Sequence, residues 1–138
     1  MKKRIVSLVI AVIMLLSCAA VSQAAVVDGG ATVQPMYNYT STTTTNLNIS
    51  SGVASCRSYI MGYNGTTTKI EITMTLQKKT LLWWSTVETW TTTVNSYYGS
   101  FNKSISVGGG TYRVKAVYKV YSGSNSETIT DYSSESKV

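Results

Sequence analysis

The chain has 138 residues, a formal net charge of +6 and no histidine. This length fits one domain and excludes a two-domain enzyme. The missing histidine removes the commonest general base and the commonest metal ligand, so we expect a non-catalytic protein without a metal or a cofactor.

The first 24 residues have the three parts of a secretory signal peptide. Residues 1–4 carry three positive charges, residues 5–16 are apolar, and Ser22-Gln23-Ala24 is a small-x-small cleavage site. We therefore predict cleavage after Ala24 and a secreted, extracellular chain that has no membrane span after signal removal. That mature chain carries nine basic and six acidic residues.

An alternative N-terminus begins at Cys18. The sequence Leu15-Leu16-Ser17-Cys18 resembles the lipobox of bacterial lipoproteins, in which the cysteine is diacylated and becomes the mature N-terminus. The resemblance implies lipid anchoring at the cell surface in place of free secretion. The residues leave both outcomes open.

Residues 25–138 are rich in strand-forming side chains. They contain 20 threonines, 16 serines and ten tyrosines, but one proline. Threonine and tyrosine favour pleated strands and are weak helix formers, so this composition predicts an all-β domain over residues 34–138. Residues 25–33, with a Gly-Gly break, form a short lead-in segment.

Strand and turn signals alternate through the domain. The pattern predicts seven strands: 34–40, 53–62, 68–78, 84–94, 100–107, 111–121 and 127–133. Residues 46–50 add a short eighth strand. Asn64-Gly65 is the strongest hairpin signal. Period-two alternation assigns one inner face to each of the two clearest strands: Ala54, Cys56, Ser58 and Ile60; Ile70, Ile72, Met74 and Leu76. Seven short antiparallel strands in about 100 residues predict a single β-sandwich of the immunoglobulin type.

After cleavage Cys56 is the one remaining cysteine, so no intrachain disulfide can form. Free cysteine is among the most buried residue types. We therefore favour a buried Cys56 over a bridge between subunits.

Two resemblances follow from the later strands. Tyr112-Arg-Val-Lys-Ala116 after a glycine turn resembles the sixth strand of immunoglobulin and fibronectin type III domains, which implies a tyrosine corner at Tyr112. Cys56 takes the place of the first immunoglobulin cysteine, but its partner position is Val114, as in fibronectin-type domains. The pattern of residues 68–79, Trp84, Val87, Trp90 and 110–116 also resembles a family of small secreted proteins of Gram-positive bacteria with no assigned function.

Two pairs of charged residues are candidates for chemistry. Glu127 and Asp131 share one face of the last strand, which we interpret as a solvated edge and not as a catalytic pair. Lys103 and Glu88 lie on strand faces that carry apolar residues, a pattern compatible with a buried Lys–Asn isopeptide crosslink. We favour the simpler alternatives, a Lys103–Glu88 ion pair or a lysine that reaches solvent.

The run Leu81-Leu82-Trp83-Trp84 places large apolar residues beside Lys78 and Lys79 at an expected turn. Alternation predicts Trp84 and Trp90 on the inner face and Trp83 in water. We expect Trp83 to bind a ligand, helped by Tyr97 or Tyr98, while Lys78 and Lys79 donate hydrogen bonds. The alternative, that these aromatics cap the end of the sandwich, stays open.

The expected function is that of a non-catalytic interaction module. The partner classes compatible with the patch are an extracellular glycan, a cell-wall polymer and a protein, and a lipid surface would use the same leucines. Nucleic acid is disfavoured because the basic residues are scattered. The alternative is a self-associating structural subunit, with weakly protected sheet edges and Cys56 as a bridge.

Overall fold

The computed structural model describes residues 36–138, and every regular element in that range is a β-strand. The eight strands, in chain order, are β1 (Thr40–Ser50), β2 (Val53–Gly62), β3 (Lys69–Lys79), β4 (Trp84–Val94), β5 (Tyr98–Ser106), β6 (Thr111–Ser122), β7 (Asn125–Tyr132) and β8 (Ser136–Lys137). The predicted signal peptide, the Cys18 lipidation site and the lead-in segment 25–33 lie outside the described residues.

The strands form two antiparallel sheets. The three-stranded sheet has the order β1-β2-β5, and the five-stranded sheet has the order β4-β3-β6-β7 with β8 paired to the start of β6. The predicted all-β sandwich is confirmed. The fourth strand pairs with β3, whereas in constant-type immunoglobulin domains it belongs to the other sheet.

The hydrophobic core lies between the sheets because alternate residues of β2, β3 and β6 point inward. The inner faces predicted for β2 and β3 are confirmed, since all eight of their residues are buried. The core consists of two clusters, both of which pack against Phe101 of β5. β6 supplies the facing residues of the five-stranded sheet: Tyr112, Val114, Ala116, Tyr118 and Val120.

The first strand differs from the prediction. Within the described residues one strand, β1, takes the place of residues 36–40 of the predicted first strand and of the short strand 46–50. Its threonine run, residues 42–45, pairs with β2, and the strand continues to the Ser51-Gly52 turn. Residues 36–39 precede it without strand pairing, and the Glu127 carboxylate accepts the backbone N–H groups of Asn38 and Tyr39 at 2.8 and 2.9 Å. The threonine run therefore forms a strand because β2 offers it a full-length partner.

The Asn64-Gly65 signal predicted a hairpin, and that prediction is wrong. A turn does form there, since Thr66 N–H donates to the Tyr63 carbonyl at 3.0 Å and Gly65 has a positive φ of 83°. However, β2 and β3 belong to different sheets and do not pair. The turn carries the chain across the sandwich instead of joining neighbouring strands.

Two structural residues were predicted correctly. The Tyr112 hydroxyl donates to the Gly108 carbonyl at 2.8 Å, which is the expected tyrosine corner. Cys56 is free and only 1% exposed. Burial raises the pKa of its thiol to about 11, so the thiolate is disfavoured at neutral pH.

Candidate interaction site

The connection between β3 and β4 is a closed turn that projects two leucines into solvent. Thr80 N–H donates to the Trp83 carbonyl at 2.8 Å, the Thr80 hydroxyl donates to the same carbonyl at 2.7 Å, and Trp83 N–H donates back to that hydroxyl at 3.1 Å. These bonds close the turn. Leu81 and Leu82 are left 97% and 80% exposed.

Trp83 adds its indole to this projection and is 63% exposed. Leu81, Leu82 and Trp83 together are named the apolar tip. Single exposed apolar residues are ordinary, but three consecutive large ones on an ordered turn form a contiguous apolar surface. The exposure of Trp83 agrees with the expectation from alternation.

Trp84, in contrast, is not on the inner face with Trp90. Its strand partner is Lys79, which points to solvent, whereas Trp90 lies opposite the buried Met74. The reason is a β-bulge in β4: Leu76 pairs with Glu88 and Gln77 with Thr86, so Val87 is an extra residue. One extra residue inverts the faces of everything on one side of it.

Trp84 instead forms one wall of an aromatic–guanidinium stack on the outer face of the five-stranded sheet. The Arg113 guanidinium carbon lies 4.2 Å from the Trp84 ring centroid and 4.5 Å from the Tyr132 ring centroid. Arg113 Nε also donates to Gln77 Oε1 at 2.9 Å. Alternation alone does not predict this stack, because the bulge decides which face Trp84 occupies.

The two lysines expected to serve a ligand are engaged within the protein, and they face opposite sides of β3. Lys78 Nζ lies 5.6 Å from the Tyr112 ring centroid. Lys79 Nζ lies 3.3 Å from both carboxylate oxygens of Glu135 and 5.5 Å from the Trp84 ring centroid. They frame the base of the turn but do not form one hydrogen-bonding set beside Trp83.

Tyr97 and Tyr98 do not join the apolar tip. Their rings pack edge to face with centroids 5.2 Å apart, and Tyr98 is 53% exposed. The two turns lie at opposite ends of β4, whose 11 residues span roughly 33 Å at about 3.3 Å per residue. A small ligand on Trp83 therefore cannot reach either tyrosine.

Lys103 and Glu88 form neither a buried crosslink site nor an ion pair. Both residues are exposed, and Lys103 Nζ lies 5.4 Å from the Phe101 ring centroid. Within residues 36–138 the ion pairs are Lys69–Glu71 and Lys79–Glu135. Lys103 reaches solvent from the sandwich margin, which is the second of the simpler alternatives.

Glu127 and Asp131 do share one face, but that face is not a solvated edge. It turns toward β1 and the segment before it. Glu127 binds the two backbone N–H groups described above, and Asp131 Oδ2 accepts the Thr45 hydroxyl at 2.9 Å. Thr45 Oγ1 also lies 3.2 Å from the Tyr118 hydroxyl, so this network links the two sheets. Both carboxylates act as structural acceptors.

In the part of the chain that the structure describes, no three metal-binding side chains of the His, Cys, Asp or Glu types cluster together. Residues 36–138 also contain no helix that could cross a membrane. No protein-family profile matches the chain, and no curated protein and no solved structure matches it.

Proposed function

We propose that this chain is a secreted, non-catalytic β-sandwich module that binds a partner in the bacterial envelope or the extracellular space. The observation that carries the proposal is the apolar tip, in which Leu81 is 97% exposed on a turn closed by its own hydrogen bonds. An ordered apolar projection loses little conformational freedom on binding. Its exposure costs solubility unless a partner covers it.

The shape and chemistry of the tip favour a protein partner with an apolar pocket over a glycan. A sugar ring would stack on Trp83 alone and leave both leucines in water. The lysines that would hydrogen-bond the sugar hydroxyls contact Tyr112, Trp84 and Glu135 instead. Insertion into a pocket would bury all three apolar side chains.

The test is co-sedimentation of the purified protein with the envelope fraction of the producing cells. Replacing both leucines (Leu81→Ser with Leu82→Ser) is expected to weaken binding at least about tenfold, because two leucine-sized apolar burials are lost. Met36→Ser is the matched control, since Met36 is 97% exposed and lies outside the tip. Equal binding by the wild type and the double variant would refute the role of the tip.

Protein-free vesicles of phosphatidylglycerol and phosphatidylcholine provide the other arm. If the wild type binds these vesicles and the double leucine variant does not, the partner is a lipid surface and not a protein.

The intact mass of the exported protein tests export itself. An N-terminus at Ala25 supports free secretion, and an acylated Cys18 selects the lipoprotein alternative.

A self-associating structural subunit is the second candidate, and the β1 edge favours it. Within the described residues β1 is paired on one side only, and its 11 residues contain no charged side chain. Long uncharged edges are templates for strand addition. Cys56 does not support this candidate, because a thiol 1% exposed cannot bridge two folded subunits.

Light scattering over a concentration series tests this second candidate. We expect the wild type to associate if β1 is the contact, and Thr44→Lys, which places a charge on that edge, to remain monomeric. Thr91→Lys, on an exposed position of the opposite sheet, is the control. A monomer at all concentrations eliminates the candidate.

A further inference from the structure

The outer face of the three-stranded sheet carries three asparagine side chains, Asn46, Asn48 and Asn102. The strand register aligns its outward residues in three neighbouring rows across β1, β2 and β5: Thr44–Tyr59–Ser100, Asn46–Arg57–Asn102 and Asn48–Ser55–Ser104. A shallow depression of about 400 Å³ lies on this face and is lined by Asn46, Leu47, Asn48, Ser55 and Arg57.

The three asparagines contradict the local preference of the strands that hold them. Asparagine is depleted in β-strands, whereas threonine is favoured. The outer face of the five-stranded sheet follows the preference, with cross-strand threonine pairs Thr73–Thr91 and Thr75–Thr89 at 3.4 and 3.2 Å. Where a residue is unfavourable for its strand and makes no stabilising contact in return, a functional role is expected.

No such structural gain is found within residues 36–138. The side chains of Asn46, Asn48, Asn102 and Arg57 make no hydrogen bond there, and Arg57 has no carboxylate partner. The row that holds Ser55 contains one side-chain bond, to Ser104 at 3.4 Å. On the opposite sheet, by comparison, Arg113 is held by Gln77 and two aromatic rings.

The charges of this sheet are all of one sign. Its three strands contain Arg57 and Lys103 and no aspartate or glutamate. Every described carboxylate side chain lies on β3, β4 or β7 or in the short segment before β8. An anionic ligand therefore meets no negative charge that would repel it on this face. Arg57 is the cation on this face that can bind it.

We propose that this face binds an acidic polysaccharide. The carboxylate of a uronic acid unit pairs with the Arg57 guanidinium, and the amides of Asn46, Asn48 and Asn102 exchange hydrogen bonds with sugar hydroxyls. Arg57 forms the fork that suits a carboxylate, and each amide both donates and accepts, as a hydroxyl does. Tyr59, in the adjoining row, offers its ring to the apolar face of a neighbouring sugar. This site is separate from the apolar tip and does not depend on it.

Affinity electrophoresis through polygalacturonate tests the proposal, with neutral dextran as the reference polymer. We expect polygalacturonate to retard the wild type and Arg57→Gln to weaken the retardation about tenfold, as for loss of a charged hydrogen bond. Asn46→Thr and Asn102→Thr are expected to weaken it severalfold. Since threonine favours strands, these two variants should keep or raise the thermal midpoint, so unfolding cannot account for the loss.

Lys115→Gln removes the same charge from the other sheet and is expected to bind as the wild type does. The proposal is overturned if polygalacturonate does not retard the wild type, if dextran retards it equally, or if Lys115→Gln loses as much as Arg57→Gln. The leucine substitutions in the apolar tip should leave the retardation by polygalacturonate unchanged. The two proposed sites can therefore be tested separately.

Discussion

Cys56 packs in the core as a small apolar residue does. It lies on the inner face of β2 within the cluster that contains Met74 and Val114, and no second cysteine is found in residues 36–138. Burial disfavours the thiolate, which is the nucleophilic form. Cys56 therefore contributes packing to the domain.

The raised pKa of Cys56 predicts a loss of stability at alkaline pH. The folded pKa of about 11 lies above the ordinary value of 9.0, so the contribution is fully present below about pH 9 and is lost as pH rises toward 11. The free energy of unfolding should fall by about 1.4 kcal/mol per pH unit in that window from this group. Urea unfolding at pH 7, 9 and 10.5 should show a shallower decline for Cys56→Ala. Parallel declines would contradict the assignment.

The hydrogen bond expected of a tyrosine corner is present at Tyr112. Tyr112→Phe removes the hydroxyl that donates to the Gly108 carbonyl and keeps the ring, which is 2% exposed. We expect the free energy of unfolding to fall by about 1 kcal/mol, the net value of one hydrogen bond. Tyr63→Phe, at a 45% exposed ring, is the control and should change it by less than about 0.5 kcal/mol.

At the scale of elements, the β4 bulge has the largest consequence for the surface. Without the extra residue Val87, Trp84 would occupy the same face as Trp90 and compete for space in the core. With it, Trp84 reaches the outer face and packs against Arg113. The bulge thus converts a predicted core tryptophan into part of a solvent-facing stack at the base of the apolar tip.

The segment before β1 depends on a carboxylate of β7. Glu127→Ala removes the acceptor of the Asn38 and Tyr39 N–H groups, so amide hydrogen exchange at these two residues should accelerate about tenfold or more. The control is Glu88→Ala, because among residues 36–138 the Glu88 carboxylate accepts one hydrogen bond, from the N–H of its neighbour Thr89 at 3.1 Å. Unchanged exchange in Glu127→Ala would show that other contacts hold the segment.

At the scale of the whole described domain, stability depends on contacts between the sheets. Ile60 of the three-stranded sheet and Ile72 of the five-stranded sheet belong to one buried cluster. Both approach Gly99, where an added Cβ would lie 3.2 Å from Ile72 Cδ1 and 3.9 Å from Ile60 Cγ2. A glycine at this point allows the two isoleucines to approach each other across the interface.

A double-mutant cycle measures this interface. Ile60→Ala and Ile72→Ala should each lower the free energy of unfolding by about 2–5 kcal/mol, and the pair should deviate from additivity by about 0.5 kcal/mol or more. Ile60→Ala combined with Leu76→Ala, a residue of the other cluster, should be closer to additive. Additivity in the Ile60–Ile72 pair would show that the sheets do not share this contact.

The local features of this protein are predictable from its sequence alone. Period-two alternation is a property of the pleat, so it predicted the strands and the inner faces of β2 and β3 from the order of residues alone. The tyrosine corner joins two residues four positions apart, and the resemblance of residues 112–116 to the sixth strand of immunoglobulin-like domains implied it. The exposure of Trp83 followed from the position of a turn. None of these features requires knowledge of which strands are neighbours.

Features that depend on which strands pair with each other can be known only from the tertiary structure. Asn64-Gly65 makes its turn in either case, but only packing determines whether the strands on each side pair or separate into two sheets. The face of Trp84 depends on one bulged residue that leaves no mark in the alternation. Asn46, Arg57 and Asn102 come from three strands up to 56 residues apart, so only sheet register brings them into one row. Long-range pairing energy, absent from any local pattern, assembles these surfaces.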